Sequence, residues 1–313
     1  MAKIKSPKNY HIFLVEIFAG VLILAGFIFL KLTSSSIKNF SEAPKDLEKI
    51  LPTPALYPRN LGKTPIPPLT ARSYIVLDAD SGTSLLEREA KLATAPASTT
   101  KIMTALVSLE NYRLDQILEV PEVKGIEGQK IKLLTGEKIS AENLLYALLV
   151  ASANDAAITL ARDFPGGGEG FIWAMNQKAK ELNLENTHFT NPVGYDDPNH
   201  YSTAADLARL ALTAMKNEKF AQIVGTERIN ITDREGKITH EMTNVNTLLG
   251  ELPGVKGIKT GWTQEAGECL VTFLEQNNHR IIISLLGSKD RFKETKLITE
   301  WVLANFQWEK VVP

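Results

Sequence analysis

Ser98 and Lys101 stand three residues apart at the head of an apolar run, Ile102-Met103-Thr104-Ala105-Leu106-Val107. On a helix, positions i and i+3 share a face, so the hydroxyl and the amine can meet. A serine becomes a nucleophile when a neighbouring base takes its proton, and a lysine held uncharged can be that base. The same pair also reads as an ordinary helix start, because serine is a favoured N-cap and lysine suits any exposed turn. Spacing alone does not separate the two readings. Ser35-Ser36-Ile37-Lys38 repeats the pattern where nothing else suggests chemistry.

Two later patterns bear on the choice. Ser152-Ala153-Asn154 offers a second hydroxyl and an amide, although such groups also collect where a helix breaks. Lys259-Thr260-Gly261 offers a second amine, or a plain strand end. A phosphate-loop reading of it fails, because Ile258 stands where G-x-x-x-x-G-K-[ST] needs glycine. The glycines of Phe164-Pro165-Gly166-Gly167-Gly168 lack that pattern too and read as a flexible loop. Histidines are scattered without H-E-x-x-H spacing, which argues against a zinc hydrolase, and no metal or other cofactor is expected. The single cysteine, Cys269, excludes an internal disulfide and reads as a buried thiol in a strand with Leu270, Val271 and Phe273. A net charge of -1 supplies no basic field for nucleic acid.

These groups need a framework that brings them together. Residues 74–77 and 84–87 read as a hairpin around Asp78-Ala79-Asp80-Ser81-Gly82-Thr83. A helix is expected over 98–111, and another over 141–151, capped by Ser140, broken at 152–154 and resumed to 161. Phe171, Met175, Ala179 and Leu182 share one face of a helix over 169–182. Thr203-Ala204-Ala205-Asp206 resembles a capping box opening a helix that runs to 215. Strands follow over 227–232, 237–241, 257–261, 268–275 and 280–286, before an amphipathic helix over 291–306. The order predicts an α+β domain. Its antiparallel sheet is assembled from both ends, flanked by helices, with a helical insertion between.

Upstream, residues 12–32 are almost wholly apolar, interrupted by Glu16 and Lys31. About 20 such residues cross a bilayer core, and Lys3, Lys5 and Lys8 ahead of them mark a cytoplasmic side. A cleaved signal peptide has an apolar region of about 7–15 residues and an A-x-A-like site. This run is longer and ends in Thr33-Ser34-Ser35-Ser36, which favours an uncleaved N-terminal transmembrane helix over a secreted product. Pro44, Pro52, Pro54, Pro58, Pro65, Pro67 and Pro68 then favour extended backbone, a semi-rigid stalk. The expected layout is a cytoplasmic tail (1–11), a membrane anchor (12–32), a stalk (33–70) and an extracytoplasmic domain (71–313) working near the membrane surface.

Taken together and in order, the three patterns match the set of penicillin-binding proteins and class A β-lactamases. Supporting stretches are Pro96-Ala97-Ser98-Thr99-Thr100-Lys101-Ile102-Met103-Thr104-Ala105, Ser152-Ala153-Asn154-Asp155-Ala156-Ala157 and Asn191-Pro192-Val193-Gly194. Gly257-Ile258-Lys259-Thr260-Gly261-Trp262-Thr263 and Ala266-Gly267-Glu268-Cys269-Leu270-Val271 add to them. Over residues 71–306 the chain resembles the low-molecular-mass penicillin-binding proteins, and among them the serine D-alanyl-D-alanine carboxypeptidases. The resemblance implies a penicillin-binding protein/β-lactamase-like fold. It also implies removal of the terminal D-alanine from peptidoglycan stem peptides through an acyl-enzyme, with β-lactams as covalent inhibitors. Ser98 would be the nucleophile and Lys101 its base, kept neutral by burial and by Lys259. Ser152 would relay a proton to the leaving D-alanine, and Asn154 would hold Lys101 and a substrate amide. Lys259 and Thr260, with Gly261 in the same motif, would bind the substrate's terminal carboxylate. Arg291 is a further candidate for that job, or a solvated residue at a helix start. Backbone N–H groups of Ser98 and Trp262 would form the oxyanion hole, the Trp262 ring walling the cleft or merely packing.

The chain departs from the pattern in places. It has S-A-N where class A β-lactamases carry S-D-N. No glutamate motif after Ser152 would activate a deacylating water, since Glu181 and Glu185 belong to a charged helix end. That makes β-lactam hydrolysis the weaker enzymatic alternative. Many relatives add a β-rich domain and a C-terminal amphipathic anchor, whose tethering role the N-terminal span is expected to take. D,D-transpeptidase and endopeptidase activities are nearer rivals, because the same acyl-enzyme can pass to an amine. A catalytically inactive peptidoglycan-binding scaffold predicts the loss of at least one catalytic group, and all are present.

Overall fold

Side chains alternate across a strand, so a sheet covered on both faces carries apolar residues at successive positions. Ile281-Ile282-Ile283 has that character, and it lies in the middle strand of the fold. The computed structural model describes residues 56–310. Its first half runs through β1 (Leu56–Asn60), β2 (Ser73–Asp78), β3 (Ser84–Arg88), a 3-10 turn (Ala97–Thr100), α1 (Lys101–Asn111), β4 (Ile117–Glu119) and β5 (Lys138–Ser140). Helices α2 (Ala141–Val150), α3 (Asn154–Asp163), α4 (Gly167–Glu181), α5 (Ala204–Ala214) and α6 (Glu218–Val224) come next. The chain closes with β6 (Arg228–Thr232), β7 (Thr239–Thr243), β8 (Val255–Thr263), β9 (Gly267–Gln276), β10 (His279–Ser288), α7 (Arg291–Asn305) and β11 (Phe306–Lys310).

Five of the strands form one antiparallel sheet in the order β3-β2-β10-β9-β8. Both ends of the domain therefore build it, with the helices inserted between, as the order of elements requires. Ile281, Ile283 and Leu285 pack with Ile298, Trp301 and Val302 of α7. Ile282 and Leu286 join the larger core formed with the inserted helices. Within that core α1 is buried on all sides: Ile102, Met103, Ala105, Leu106 and Val107 are each at most 4% exposed. The expected caps are made. Ser140 Oγ accepts the Asn143 N–H at 3.2 Å and Thr203 Oγ1 accepts the Asp206 N–H at 3.0 Å. Cys269 is a free, fully buried thiol in β9.

The stalk needs correcting at its C-terminal end. Residues 56–60 form β1, paired antiparallel with β11 in a separate two-stranded ribbon. The segment that follows is bound to α7: the Leu61 N–H donates to the Asn305 carbonyl at 2.7 Å and the Thr64 N–H to Asn305 Oδ1 at 2.8 Å. Buried Glu294 accepts the Thr70 N–H at 2.7 Å and the Ala71 N–H at 3.1 Å. The extended backbone that prolines favour here serves as a strap along the domain instead of a spacer. The last helix correspondingly ends at Asn305, where the chain turns into β11. The expected anchor and the earlier part of the stalk lie outside the described residues. Among the described residues no helix is long and apolar enough to cross a membrane.

Glu294→Ala strands two backbone donors and a hydroxyl that the carboxylate now satisfies. The expected loss is about 3 kcal/mol in urea unfolding, with Glu294→Gln less costly because one acceptor oxygen is kept.

Candidate active site

Ser98 is not a helix cap. It lies in the 3-10 turn ahead of α1, and neither that turn nor α1 is capped by a side chain. Ala97 before it takes a left-handed φ of 49°. The turn is braced from behind. Thr99 Oγ1 donates to the Pro96 carbonyl at 2.6 Å, and Thr100 Oγ1 lies 2.8 Å from His200 Nε2. Since His200 Nδ1 accepts the Thr190 N–H at 3.0 Å, its proton sits on Nε2 and is donated to Thr100. Burial lowers the His200 pKa to about 4, so the brace is a neutral imidazole at physiological pH.

Lys101 is the first residue of α1 and has no exposed surface. Its Nζ lies 2.8 Å from Ser98 Oγ and donates to the Val193 carbonyl, also at 2.8 Å. Both partners are neutral oxygens, so nothing in direct contact favours an ammonium. Burial drives its pKa well below the usual value, the charge of Lys259 lowers it further, and Asp155 opposes them. Lys259 in β8 is 1% exposed, and its pKa falls to about 7 through burial first and Arg291 second. Its Nζ donates to the Thr260 carbonyl at 2.9 Å.

Two glycines let other segments close on the turn. A Cβ on Gly261 would come within 2.9 Å of Ser98 N, so β8 runs directly against the N–H of Ser98. A Cβ on Gly194 would sit 1.9 Å from the Ala97 carbonyl oxygen. Ser152, between α2 and α3, takes φ 59° and is 4% exposed. Asn154 opens α3. Its Nδ2 donates to the Glu127 carbonyl at 2.7 Å and lies 3.4 Å from the Tyr195 hydroxyl, while its buried Oδ1 has no partner. The expected bond between Asn154 and Lys101 is therefore not made: the Val193 carbonyl occupies the amine, and the amide group turns to the loop at 125–129.

These parts enclose a cleft of about 700 Å³. Seven of the nine predicted site residues line it: Ser98, Ser152, Asn154, Thr260, Gly261, Trp262 and Arg291. Lys101 and Lys259 are buried and are not among the lining residues. Arg291 is no solvated helix start. Its Nη1 donates to the Gly261 carbonyl at 2.8 Å and its N–H to Glu268 Oε2 at 2.8 Å, while Nε is buried without a partner. Trp262 is 63% exposed, so its ring walls the cleft and does not pack into the core.

Several functional groups escaped the sequence reading. The Val193 carbonyl is one, because any residue carries a carbonyl. Asp155 is another: its Oδ2 accepts the Leu133 N–H at 3.0 Å and ties the loop over the cleft to α3. Tyr195, whose hydroxyl donates to the Glu127 carbonyl at 3.0 Å, holds that loop from the other side. Asn191-Pro192-Val193-Gly194 carried the one available signal, an asparagine followed by a glycine at the spacing of a turn.

Comparison with known proteins agrees with this arrangement. The profile of the peptidase S11 family, D-alanyl-D-alanine carboxypeptidase, matches residues 62–290. The chain belongs to this family. It is 33% identical over 246 residues to D-alanyl-D-alanine carboxypeptidase DacF of Bacillus subtilis, covering 76% of this chain and 63% of that protein. Over 241 residues it is 32% identical to the D-alanyl-D-alanine endopeptidase of Pseudomonas aeruginosa, covering 75% of this chain and 77% of that one. The Streptomyces K15 DD-transpeptidase superposes with a TM-score of 0.73 at 30% identity, over 77% of this chain and 100% of the other. The chain thus spans less than two thirds of the Bacillus relative's length.

The buried amines give stability a definite pH dependence. Folding lowers the Lys259 pKa from 10.5 to about 7, so between these values the unfolded chain binds more protons and stability rises with pH. Lys101, shifted in the same direction, adds to the trend. The urea midpoint is expected to climb from about pH 7 to about pH 9.5, and the climb to shrink in Lys259→Met.

Proposed function

We propose that this chain is a serine D-Ala-D-Ala carboxypeptidase that trims the terminal D-alanine of peptidoglycan stem peptides outside the cytoplasm, tethered to the membrane by residues 12–32. The observation that carries the reading is the Lys101 amine, fully buried, bonded only to neutral oxygens and 2.8 Å from Ser98 Oγ. A neutral amine there has a lone pair to accept the hydroxyl proton.

Ser98 Oγ attacks the carbonyl carbon between the two D-alanines while Lys101 Nζ takes its proton. The oxyanion that forms is met by the N–H groups of Ser98 and Trp262, which Gly261 allows to approach each other. Collapse breaks the C–N bond, and the leaving amine takes a proton from Lys101 through the Ser152 hydroxyl. Water then attacks the ester, Lys101 again accepts a proton, and Ser98 is released. The unpartnered Asn154 Oδ1 suits a substrate amide N–H. Thr260 and Arg291 receive the terminal carboxylate, and buried Lys259 adds positive potential while disfavouring an ammonium at Lys101. A β-lactam places its strained amide in the same position and acylates Ser98.

The likeness to a DD-transpeptidase supports a second reading, in which an amine and not water takes the acyl group. β-Lactam hydrolysis stays weaker on the sequence pattern, S-A-N in place of S-D-N, with neither Glu181 nor Glu185 at the cleft and Glu127 the glutamate that lines it. The complete set of catalytic groups speaks against an inactive scaffold.

Incubation with a stem pentapeptide is expected to release D-alanine, with Ser98→Ala slower by at least about 10³-fold at similar stability. The rate should rise with pH as Lys101 loses its proton. No release from a folded, penicillin-acylated parent would sink the carboxypeptidase assignment. Faster transfer to an added amine than hydrolysis would favour the transpeptidase.

A further inference from the structure

Lys101 must present its lone pair to Ser98, and its orientation depends on whatever holds its other hydrogens. The Val193 carbonyl is that holder, 2.8 Å from Nζ. A backbone carbonyl has no side chain to steer it, so the plane of the 193–194 peptide must be fixed from elsewhere. Asn191 does this. Its Oδ1 accepts three successive backbone N–H groups, from Val193 at 3.2 Å, Gly194 at 2.8 Å and Tyr195 at 3.0 Å. In a planar trans peptide the carbonyl and the following N–H point in opposite directions. Seizing the Gly194 N–H therefore aims the Val193 carbonyl away from Asn191 and onto the lysine.

The surroundings leave that peptide few alternatives. Gly194 adopts φ 92° with its α-carbon against the Ala97 carbonyl, where no side chain fits. The Asn191 amide is itself held, its Nδ2 donating to the Tyr195 carbonyl at 3.2 Å and lying 3.4 Å from His200 Nδ1. His200 in turn braces Thr100 of the nucleophile turn. Asn191 is not among the residues that line the cleft.

We propose that Asn191 is a positioning residue for the base: by fixing the Val193 carbonyl it orients Lys101 toward Ser98 and sets the rate of acylation. The inference rests on the acyl-enzyme reading above and deepens it.

Two variants test it. Asn191→Ala removes the acceptor. Acylation by a fluorescent penicillin is expected to slow by about 10–100-fold, the scale of a small misplacement of a catalytic group. The KM for a stem pentapeptide should change less than the acylation rate, because Asn191 itself is not among the lining residues and reaches the cleft only through the backbone of 193–195. Asn191→Asp keeps an acceptor for the three N–H groups but brings a negative charge toward Lys101 and beside His200, whose Nδ1 lies 3.4 Å from the present amide and whose own pKa the carboxylate would raise. The charged groups acting on the amine are Lys259 from β8, which lowers its pKa, and Asp155 from α3, which raises it. A new carboxylate acts with Asp155, so the acid limb of the acylation profile should move up by about one pH unit, with rates recovering toward the parent's above it.

An Asn191→Ala loss no greater than its fall in folded fraction by circular dichroism would overturn the proposal. So would an Asn191→Asp variant with the parent's acid limb. The underlying reading fails separately: a parent acylated by penicillin that releases no D-alanine refutes the carboxypeptidase, while its acylation rates still report on Asn191.

Discussion

A lysine amine buried without a counter-ion is the condition around which this fold is arranged. An ammonium at Lys101 would lack both water and a carboxylate in contact, a loss of several kcal/mol after any relaxation. The neutral form avoids that loss and is also the form able to accept a proton. Each neighbour serves one side of this balance. Lys259 supplies repulsion from β8 without touching the cleft. Asp155, the carboxylate that opposes the shift, is engaged by the Leu133 and Ala156 N–H groups. Two buried amines near one another destabilise the fold at neutral pH, and the extensive core around α1 offsets them.

The site draws on parts of the chain that meet only through the sheet and its inserted helices. Ser98 comes from the 3-10 turn ahead of α1, Lys101 from the first residue of α1, Ser152 and Asn154 from the break between α2 and α3, and Thr260 to Trp262 from β8. Strand β8 is the edge of the five-stranded sheet, so its outer side is open to the nucleophile turn. Glycine at 261 removes the last steric obstacle, and Arg291 clamps that strand by its Gly261 carbonyl. Catalytic geometry and sheet architecture are thus the same set of contacts.

What could be read from the sequence divides along physical lines. Ser98, Lys101, Ser152, Asn154 and the Lys259-Thr260-Gly261 pattern were legible as three short motifs in a fixed order, and Trp262 entered only through the family resemblance. The central sheet and α1 to α5 were legible from periodicity and from the caps at Ser140 and Thr203. Strands β1 and β11 were not. Pro58 and the prolines that follow suppress the strand signal, and the ribbon is defined by pairing between the two ends of the described chain. Helix α6, at Glu218–Val224, is too short to establish a period. The partner of Lys101 was hidden for another reason: it is a backbone oxygen, invisible to any reading of side chains. The Asn154 contact to Lys101 was implied by the family resemblance, and the Val193 carbonyl takes its place.

Backbone strain marks the same places independently. Ala97 and Ser152 are non-glycine residues with φ of 49° and 59°, and each is nearly or fully buried. Such conformations cost about 1–3 kcal/mol each and persist where surrounding contacts outweigh them. The other left-handed non-glycine residues are Asn183, Asn277 and Asn278, where asparagine accepts that geometry readily, and Glu89 and Lys132, which are exposed, so buried strain of this kind falls on Ala97 and Ser152. Ala97 and Ser152 have no such excuse, and each adjoins or supplies a reactive hydroxyl. At Ala97 the left-handed kink leads into the 3-10 turn that carries Ser98 to the mouth of the cleft before α1 begins. At Ser152 it separates two helices that would otherwise continue as one, and turns a side chain to the cleft that an unbroken helix would direct along its own surface. The strain therefore lies at the two points where helical regularity and the placement of a hydroxyl conflict, and in both the chain gives up the helix.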